Sequence, residues 1–201
     1  AVTAFYRLFI AGAVLLPAFL CSKTSRTEFR TLTKHQWTQI LSAGLFLALH
    51  YVLWFESLHF TSIASSTVLV CLQPLFSLAL ERFVSKKKIR FSALIGCFIA
   101  LCGSVIIGAG DFQISGKALF GDIIAFVAAG VISLYFFVGE TVRKDVSAVT
   151  YSTMSYLTSA IILLVYIFIL KDPLTGFPAS TWQAFFGLAL ISSIGGQFVF
   201  N

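Results

Sequence analysis

The sequence consists of long apolar runs that alternate with short polar segments. Each run contains about twenty residues, and at ~1.5 Å per residue a helix of that length crosses the ~30 Å hydrocarbon core of a bilayer. Only a short uncharged connection separates the second run from the third, which predicts an antiparallel helix pair. The pattern predicts seven spans, designated a to g: Ala1–Leu20, Trp37–Leu58, Thr61–Leu80, Phe91–Ala109, Phe120–Gly139, Thr150–Leu170 and Trp182–Asn201.

The composition also indicates an integral membrane protein. Of the 201 residues, 58% are hydrophobic and 11% are charged, whereas a soluble domain has about 25% charged residues. The mean hydropathy is +0.94, and apolar surface in such excess has to face lipid. The net charge of +6 could indicate a nucleic-acid partner, but most of the charged residues lie between the spans, so we expect none. We also expect no cofactor, no metal site and no catalytic residue, because the sequence contains no recognisable enzyme or metal-ligand motif.

The basic residues between the spans predict the orientation of the chain. Eleven of them fall in the a–b, c–d and e–f connections, and only Lys117 and Lys171 fall in the d–e and f–g connections. Cytoplasmic loops carry an excess of Lys and Arg, so the first three connections are predicted to be cytoplasmic. The eleven residues are Lys23, Arg26, Arg30, Lys34, Arg82, Lys86, Lys87, Lys88, Arg90, Arg143 and Lys144.

Spans a and b are repeated, with few identities, as spans f and g. Trp37 aligns with Trp182 at an offset of 145, and Val2-Thr3 aligns with Val149-Thr150 at an offset of 147. The paired spans are predicted to cross the membrane in opposite directions, which makes the repeat an inverted one, as found in many transporters.

The inverted repeat predicts an all-α polytopic membrane protein of ten helices, built from two five-helix units. Residues 1–110 would form the first unit without its first helix, and residues 120–201 the second unit without its last two helices. We expect these 201 residues not to transport by themselves, since three helices of the complete arrangement lie outside them.

Two charged residues inside predicted spans are candidates for a functional role. Arg7 is about seven residues into span a, and Glu56 lies near the outer end of span b at a similar depth. Charges inside a membrane are costly and often functional, so Arg7 is a candidate for attracting an anionic group, and the two residues could pair. Alternatively, Arg7 snorkels to the outer interface and Glu56 is an interfacial carboxylate without a role.

Uncharged polar residues mark spans b and c. His50 and Trp54 are four residues apart on one face of span b, and a histidine, which titrates near neutral pH, could couple transport to protons. Ser66 and Gln73 belong to a helical stripe on span c, with Gln73 near the midplane. The alternative for each of these residues is hydrogen bonding between packed helices.

Two places are predicted to weaken helices. Pro74 cannot donate to the Val70 carbonyl and should interrupt span c. Gly195-Gly196 in span g aligns with His50-Tyr51 in the repeat. Both places are candidate hinges, although proline and glycine are also common in membrane spans.

Four stretches of the chain form a recognisable set: FYRLFIAGAVLLP (Phe5–Pro17), SLHFTSIASSTVLVCLQPLFSLALE (Ser57–Glu81), IGCFIALCGSVIIG (Ile95–Gly108) and GDIIAFVAAGVISLYFFVGE (Gly121–Glu140). They resemble the drug/metabolite transporter superfamily, in its EamA branch. The resemblance implies ten helices in two inverted five-helix repeats, of which this chain holds the second to eighth, with both termini cytoplasmic. An arginine at the position of Arg7 recurs in the family. The basic segment after Glu81 departs from the short Gly-Glu turn that is frequent there.

Together, these observations predict a secondary transporter in the plasma membrane. The resemblance favours export of small polar or amphipathic metabolites such as amino acids, by alternating access between inverted repeats. Its partners would be a small-molecule substrate and the lipid bilayer, and a homodimer is left open. The alternatives are a membrane-embedded enzyme that acts on a lipid or quinone through His50, Glu56 or Cys71, and a membrane scaffold that transports nothing.

The predicted orientation can be tested by cysteine labelling in intact cells. A cysteine introduced at Lys87 should be protected from an impermeant reagent added outside, and one introduced at Thr175 should react, because the loop charges place them on opposite faces. The reverse accessibility would contradict both the topology and the inverted repeat.

Overall fold

The computed structural model describes residues 1–86, 88–89, 91–108 and 116–198. Every regular element in these ranges is a helix. Nine α-helices are followed by one π-helix, Leu188–Phe198. The α-helices are α1 Val2–Cys21, α2 Lys23–Thr31, α3 Lys34–Ser57, α4 Ile63–Val70, α5 Gln73–Phe83, α6 Phe91–Gly108, α7 Gly116–Val142, α8 Ala148–Leu170 and α9 Ala179–Gly187.

Within the described residues, five segments are long and apolar enough to cross a membrane. They correspond to the predicted spans a, b, c, e and f, and α6 and α9 contribute two shorter apolar helices in the places of spans d and g. The protein is therefore an all-helical, polytopic membrane protein. The seven-span count and the ten-helix repeat stay predictions, and Lys87 lies outside the described residues. The five segments are Val2–Cys21, Lys34–Ser57, Ile63–Phe83, Gly116–Val142 and Ala148–Leu170.

The helices form two compact units. The first comprises Ala1–Ala48 and Val138–Asn201, and in it α1 packs along α8. The buried face of α1 includes Ala4, Leu8, Ala11 and Leu15, whose spacing of three or four residues marks one side of a helix. The second unit comprises Leu49–Phe137, in which α7 buries Ala125, Ala128 and Ala129 completely.

The a–b connection is a helix, where the sequence predicted a loop. Helix α2 begins at Lys23 after Ser22, whose hydroxyl accepts a hydrogen bond from Ser25 N at 3.2 Å. Glu28 and Phe29 attach it to the rest of the first unit, and Phe29 packs edge-on against Phe19 and Trp37. Because these attachments are tertiary contacts, the polar sequence of this segment did not predict a helix.

Span c is divided into two helices near Pro74. Helix α4 ends at Val70, and α5 begins at Gln73 with Pro74 in its first turn. Proline is tolerated there because the first N–H groups of a helix need no partner inside the helix. The Ser133 hydroxyl of α7 lies 2.9 Å from the Gln73 carbonyl and 2.8 Å from the Ala129 carbonyl, so its one proton is shared between them.

Span g also departs from a single α-helix. It consists of α9 followed by the π-helix, whose hydrogen bonds join residues five apart. Gly195 and Gly196 both lie within the π-helix.

Gly44 allows the backbone of α3 to approach α8 closely. A Cβ at Gly44 would lie 2.7 Å from Thr158 Cβ and 3.2 Å from the Ser155 carbonyl. The Ser159 hydroxyl donates a hydrogen bond to the Gly44 carbonyl at 2.6 Å. The contact combines tight packing with a hydrogen bond between spans.

Gly44→Ala should therefore destabilise the protein. We expect a loss of roughly 1–3 kcal/mol from overpacking, seen as a lower melting temperature in detergent. Gly96→Ala on α6 is the control, since a Cβ there meets no described atom within 4 Å and alanine favours a helix by ~0.5–1 kcal/mol. An unchanged melting temperature for Gly44→Ala would contradict the close contact.

Candidate functional site

Arg7 is buried inside the first unit. Its side chain is 6% exposed, and its Nε donates a hydrogen bond to Ser193 Oγ of the π-helix at 2.8 Å. A guanidinium that snorkels to the membrane surface would be exposed, so this burial disfavours the alternative of an interfacial arginine. The structure places the cation among packed helices. A charge there is costly, so charged residues inside membrane spans usually have a function.

Tyr156 brings a third helix to the same place. Its hydroxyl donates a hydrogen bond to the Ser193 carbonyl at 3.1 Å, and both residues are fully buried. Helix α1, helix α8 and the π-helix thus meet at Ser193. We refer to Arg7, Tyr156 and Ser193 as the Arg7 cluster. Because three helices converge beside a buried cation, the cluster is a stronger candidate than a buried arginine alone.

The N-terminal half of α8 is rich in hydroxyl groups. Eight of the ten residues at 150–159 are Ser, Thr or Tyr. The hydroxyls of Ser152, Thr153 and Ser155 are buried, and none has a hydrogen-bond partner within the described residues. An unsatisfied buried hydroxyl costs ~1–3 kcal/mol, so these groups are suited to bind water or a polar ligand. We call these three residues the α8 hydroxyl residues.

In the second unit, His50 and Trp54 lie together on α3. Their rings stack at 5.9 Å, and His50, which is 4% exposed, has its Nδ1 at 2.9 Å from the Ala128 carbonyl. A carbonyl can only accept, so Nδ1 carries a proton and donates. The indole Nε1 of Trp54 is buried and has no hydrogen-bond partner within the described part of the chain. This arrangement fits both the pathway prediction and the packing alternative.

Asp122 is a carboxylate that the sequence reasoning missed. It lies in α7, and one of its oxygens accepts hydrogen bonds from the hydroxyls of Thr61 and Ser65, each at 2.7 Å. Nearby, Ser66 of α4 is fully buried, with its hydroxyl 2.7 Å from that of Ser57. Ser66 therefore makes a hydrogen bond to the last residue of α3, and its place in the pathway stays a prediction.

Gln73 is half-buried at the start of α5. Its side-chain amide donates to the Ser77 hydroxyl at 3.3 Å, which is a bond within the same helix. The contact with α7 is made by the Gln73 backbone carbonyl. The side chain is thus not the group that joins these two helices in the bonds described.

The predicted site residues are distributed over both units. Arg7 lies in the first unit together with Gly195 and Gly196, and the others lie in the second. Glu56 is half-buried near the end of α3, and its pairing with Arg7 stays a prediction. Among the described residues, no group of His, Cys, Asp and Glu side chains is arranged to hold a metal.

Most of the missed residues carry a signal that was present in the sequence. Polar groups inside apolar spans marked His50 and Gln73, and the same criterion applies to residues 150–159 in span f. Applied there, this criterion would have found Tyr156 and the α8 hydroxyl residues. Ser193 would have been harder to find, since only its contact with Arg7 distinguishes it from other serines in spans.

Known proteins are similar to this chain in sequence and in fold. Two uncharacterized transporters of Bacillus subtilis match: YyaM is 24% identical over 99% of this chain and 66% of its own length, and YetK is 29% identical over 73% of this chain and 45% of its own length. One crystal structure matches with a TM-score of 0.76 at 23% identity, covering 98% of this chain and 66% of that chain, which shows a shared fold. The chain thus spans about two thirds or less of the curated relatives it matches.

The family assignment rests on more than half of the chain. The sequence pattern of the EamA-like transporter family matches residues 2–109, which include helices α1 to α6. The relatives named above are also described as transporters. The chain belongs to the EamA-like transporter family.

Proposed function

We propose that the protein is a secondary transporter that exports small polar or amphipathic metabolites such as amino acids across the plasma membrane. It works by alternating access between two inverted five-helix repeats. The family and its relatives support transport, and the repeat of spans a and b in spans f and g supports the inverted arrangement.

The Arg7 cluster carries the proposal. A buried guanidinium next to a π-helix provides a fixed positive charge that recognises a carboxylate with directional hydrogen bonds. The α8 hydroxyl residues supply further polar atoms on a helix that packs against α1. A small metabolite with one anionic group and a polar body, such as an amino acid, matches this combination.

The second unit supplies the groups proposed for the pathway and its movement. His50 and Trp54 present a polar and an aromatic group on α3. The break at Pro74 gives α4 and α5 separate hydrogen-bond ladders, so that they can move against each other with little loss of hydrogen bonding. Gly195 and Gly196, in the π-helix, are the proposed counterpart of this hinge in the first unit.

The two alternative functions make different predictions. An enzyme acting on a lipid or quinone would form product in detergent without a gradient. A scaffold would show no stabilisation by any metabolite. A transport screen in vesicles made with the full-length protein separates all three and would also identify the substrate and the direction.

The first test replaces Arg7 in the full-length protein. Hydrogen bonds to charged groups contribute ~1.5–3 kcal/mol, so Arg7→Gln should reduce transport of a carboxylate-bearing amino acid by roughly 10- to 100-fold. Arg7→Lys should give an intermediate rate, because it keeps the charge and loses the planar fork. Flux per inserted molecule is measured in vesicles.

Two controls make this test specific. Arg82→Gln, which changes an exposed arginine in the last turn of α5, should leave the flux unchanged. Any residual transport of the corresponding amino acid amide should be insensitive to Arg7→Gln, since the amide has no carboxylate. Normal amino acid flux in Arg7→Gln would remove this residue from the site.

The second test concerns Gln73 and Pro74. Gln73 is about 12 residues into span c, which is roughly 18 Å at the ~1.5 Å rise of a helix and close to the midplane. If its amide faces substrate, Gln73→Leu should abolish transport while insertion and yield stay near normal. Pro74→Ala should slow transport with less effect on ligand affinity, because it stiffens the break and removes no ligand group.

Flux and melting temperature together decide between pathway and packing. A packing role for Gln73 predicts a stability loss of ~1–2 kcal/mol with normal flux per folded molecule. The bond from the Gln73 amide to Ser77 on its own helix supports the pathway role. Normal flux in Gln73→Leu would remove this residue from the pathway.

A further inference from the structure

Helix α2 presents three cations on one exposed face. Lys23, Arg26 and Arg30 lie at spacings of three and four residues, which puts them on the same side of a helix. Together with Thr27 they line a surface cleft of about 350 Å³, and all four are exposed. The Thr27 hydroxyl donates to the Lys23 carbonyl at 2.9 Å, so the cations are the donors available to a ligand. We call these four residues the α2 cleft.

The acidic residue of α2 is directed away from this cleft. Glu28 accepts hydrogen bonds from Ser147 N at 3.1 Å, from Ser147 Oγ at 2.7 Å and from Thr150 Oγ1 at 2.6 Å. Its carboxylate therefore sits at the N-terminus of α8, where a negative charge is favoured by the helix dipole. This contact fixes α2 against α8 and leaves the three cations together on the other side.

The α2 cleft lies immediately beside the end of a membrane-spanning helix. Helix α1 ends at Cys21 and α2 begins at Lys23. Leu20 and Phe29 are large apolar residues next to the cleft in sequence, and they are 54% and 44% exposed. Apolar side chains beside clustered cations, at the end of a span, are what a phospholipid requires, since its phosphate and its acyl chains lie next to each other.

We propose that the α2 cleft binds the phosphate of an anionic phospholipid headgroup at the predicted cytoplasmic surface. The arginines bind phosphate oxygens through paired N–H donors, and Lys23 adds a point charge. Anionic lipid attracts such basic segments beside spans. A lipid bound there would hold α2, and through Glu28 the start of α8, at a fixed depth. The site is independent of the transported substrate.

Short-chain lipids test this with the purified full-length protein in a neutral detergent. Dioctanoyl phosphatidylglycerol should bind and raise the melting temperature, and dioctanoyl phosphatidylcholine should bind much more weakly. The triple variant K23Q/R26Q/R30Q should weaken phosphatidylglycerol binding by roughly 10- to 100-fold, given the typical contribution of each basic residue near an anionic surface. Binding measured as a function of lipid concentration checks both expectations.

The matched control removes the same charge from the same predicted face. In R82Q/K86Q/K88Q, three exposed basic residues of the c–d connection are changed, and phosphatidylglycerol affinity should stay within about twofold of the unmodified protein. Arg26→Lys keeps the net charge, and therefore the insertion signal, and should still weaken binding several-fold because lysine lacks the paired donors.

Three outcomes would overturn the proposal. Equal loss in both triple variants would mean a general attraction of the basic surface for anions. Equal binding of phosphatidylcholine would mean that the anionic headgroup is not recognised. Competition by inorganic phosphate at concentrations similar to those of the lipid would mean that the cleft takes soluble phosphate groups. If the α2 triple variant fails to insert, Arg26→Lys decides alone, and unchanged binding there overturns the proposal.

Discussion

The fold depends on the need to satisfy polar groups within apolar surroundings. A bilayer core offers no water, so each polar side chain and each carbonyl released from a helix must find a partner in the protein. Asp122 accepts from two hydroxyls of the α3–α4 turn and α4, the Ala128 carbonyl accepts from His50, and Ser133 reaches the carbonyl at the α4–α5 break. These bonds join α7 to α3, α4 and α5 within the second unit.

The same requirement distinguishes structural polar groups from candidates for ligand binding. Ser159, bonded to the Gly44 carbonyl, and Ser66, beside Ser57, have their partners in neighbouring elements. The hydroxyls of Ser152, Thr153 and Ser155 are buried without a partner in the described part of the chain, close in sequence to Tyr156 of the Arg7 cluster. The proposed transport requires such groups, because they would replace the water that a polar substrate loses on entering the membrane.

Helix α2 illustrates a different use of polar residues. Its carboxylate joins it to α8, its phenylalanine packs beside Phe19 and Trp37, and its cations remain exposed. The sides of this short helix therefore make different contacts. This distribution suits the contact with lipid headgroups that is proposed for the α2 cleft.

The sequence by itself determined the class of the protein, because apolar runs of membrane-spanning length are a local property. It also predicted the break at Pro74, where proline chemistry acts within one helical turn. The segment at α2 was wrongly expected to be a loop, since its helix is held by Glu28 and Phe29 through contacts distant in sequence. The partner of Arg7 is 186 residues away in sequence, and only the packing of α1 against α8 and the π-helix decided that Ser193 and Tyr156 join it.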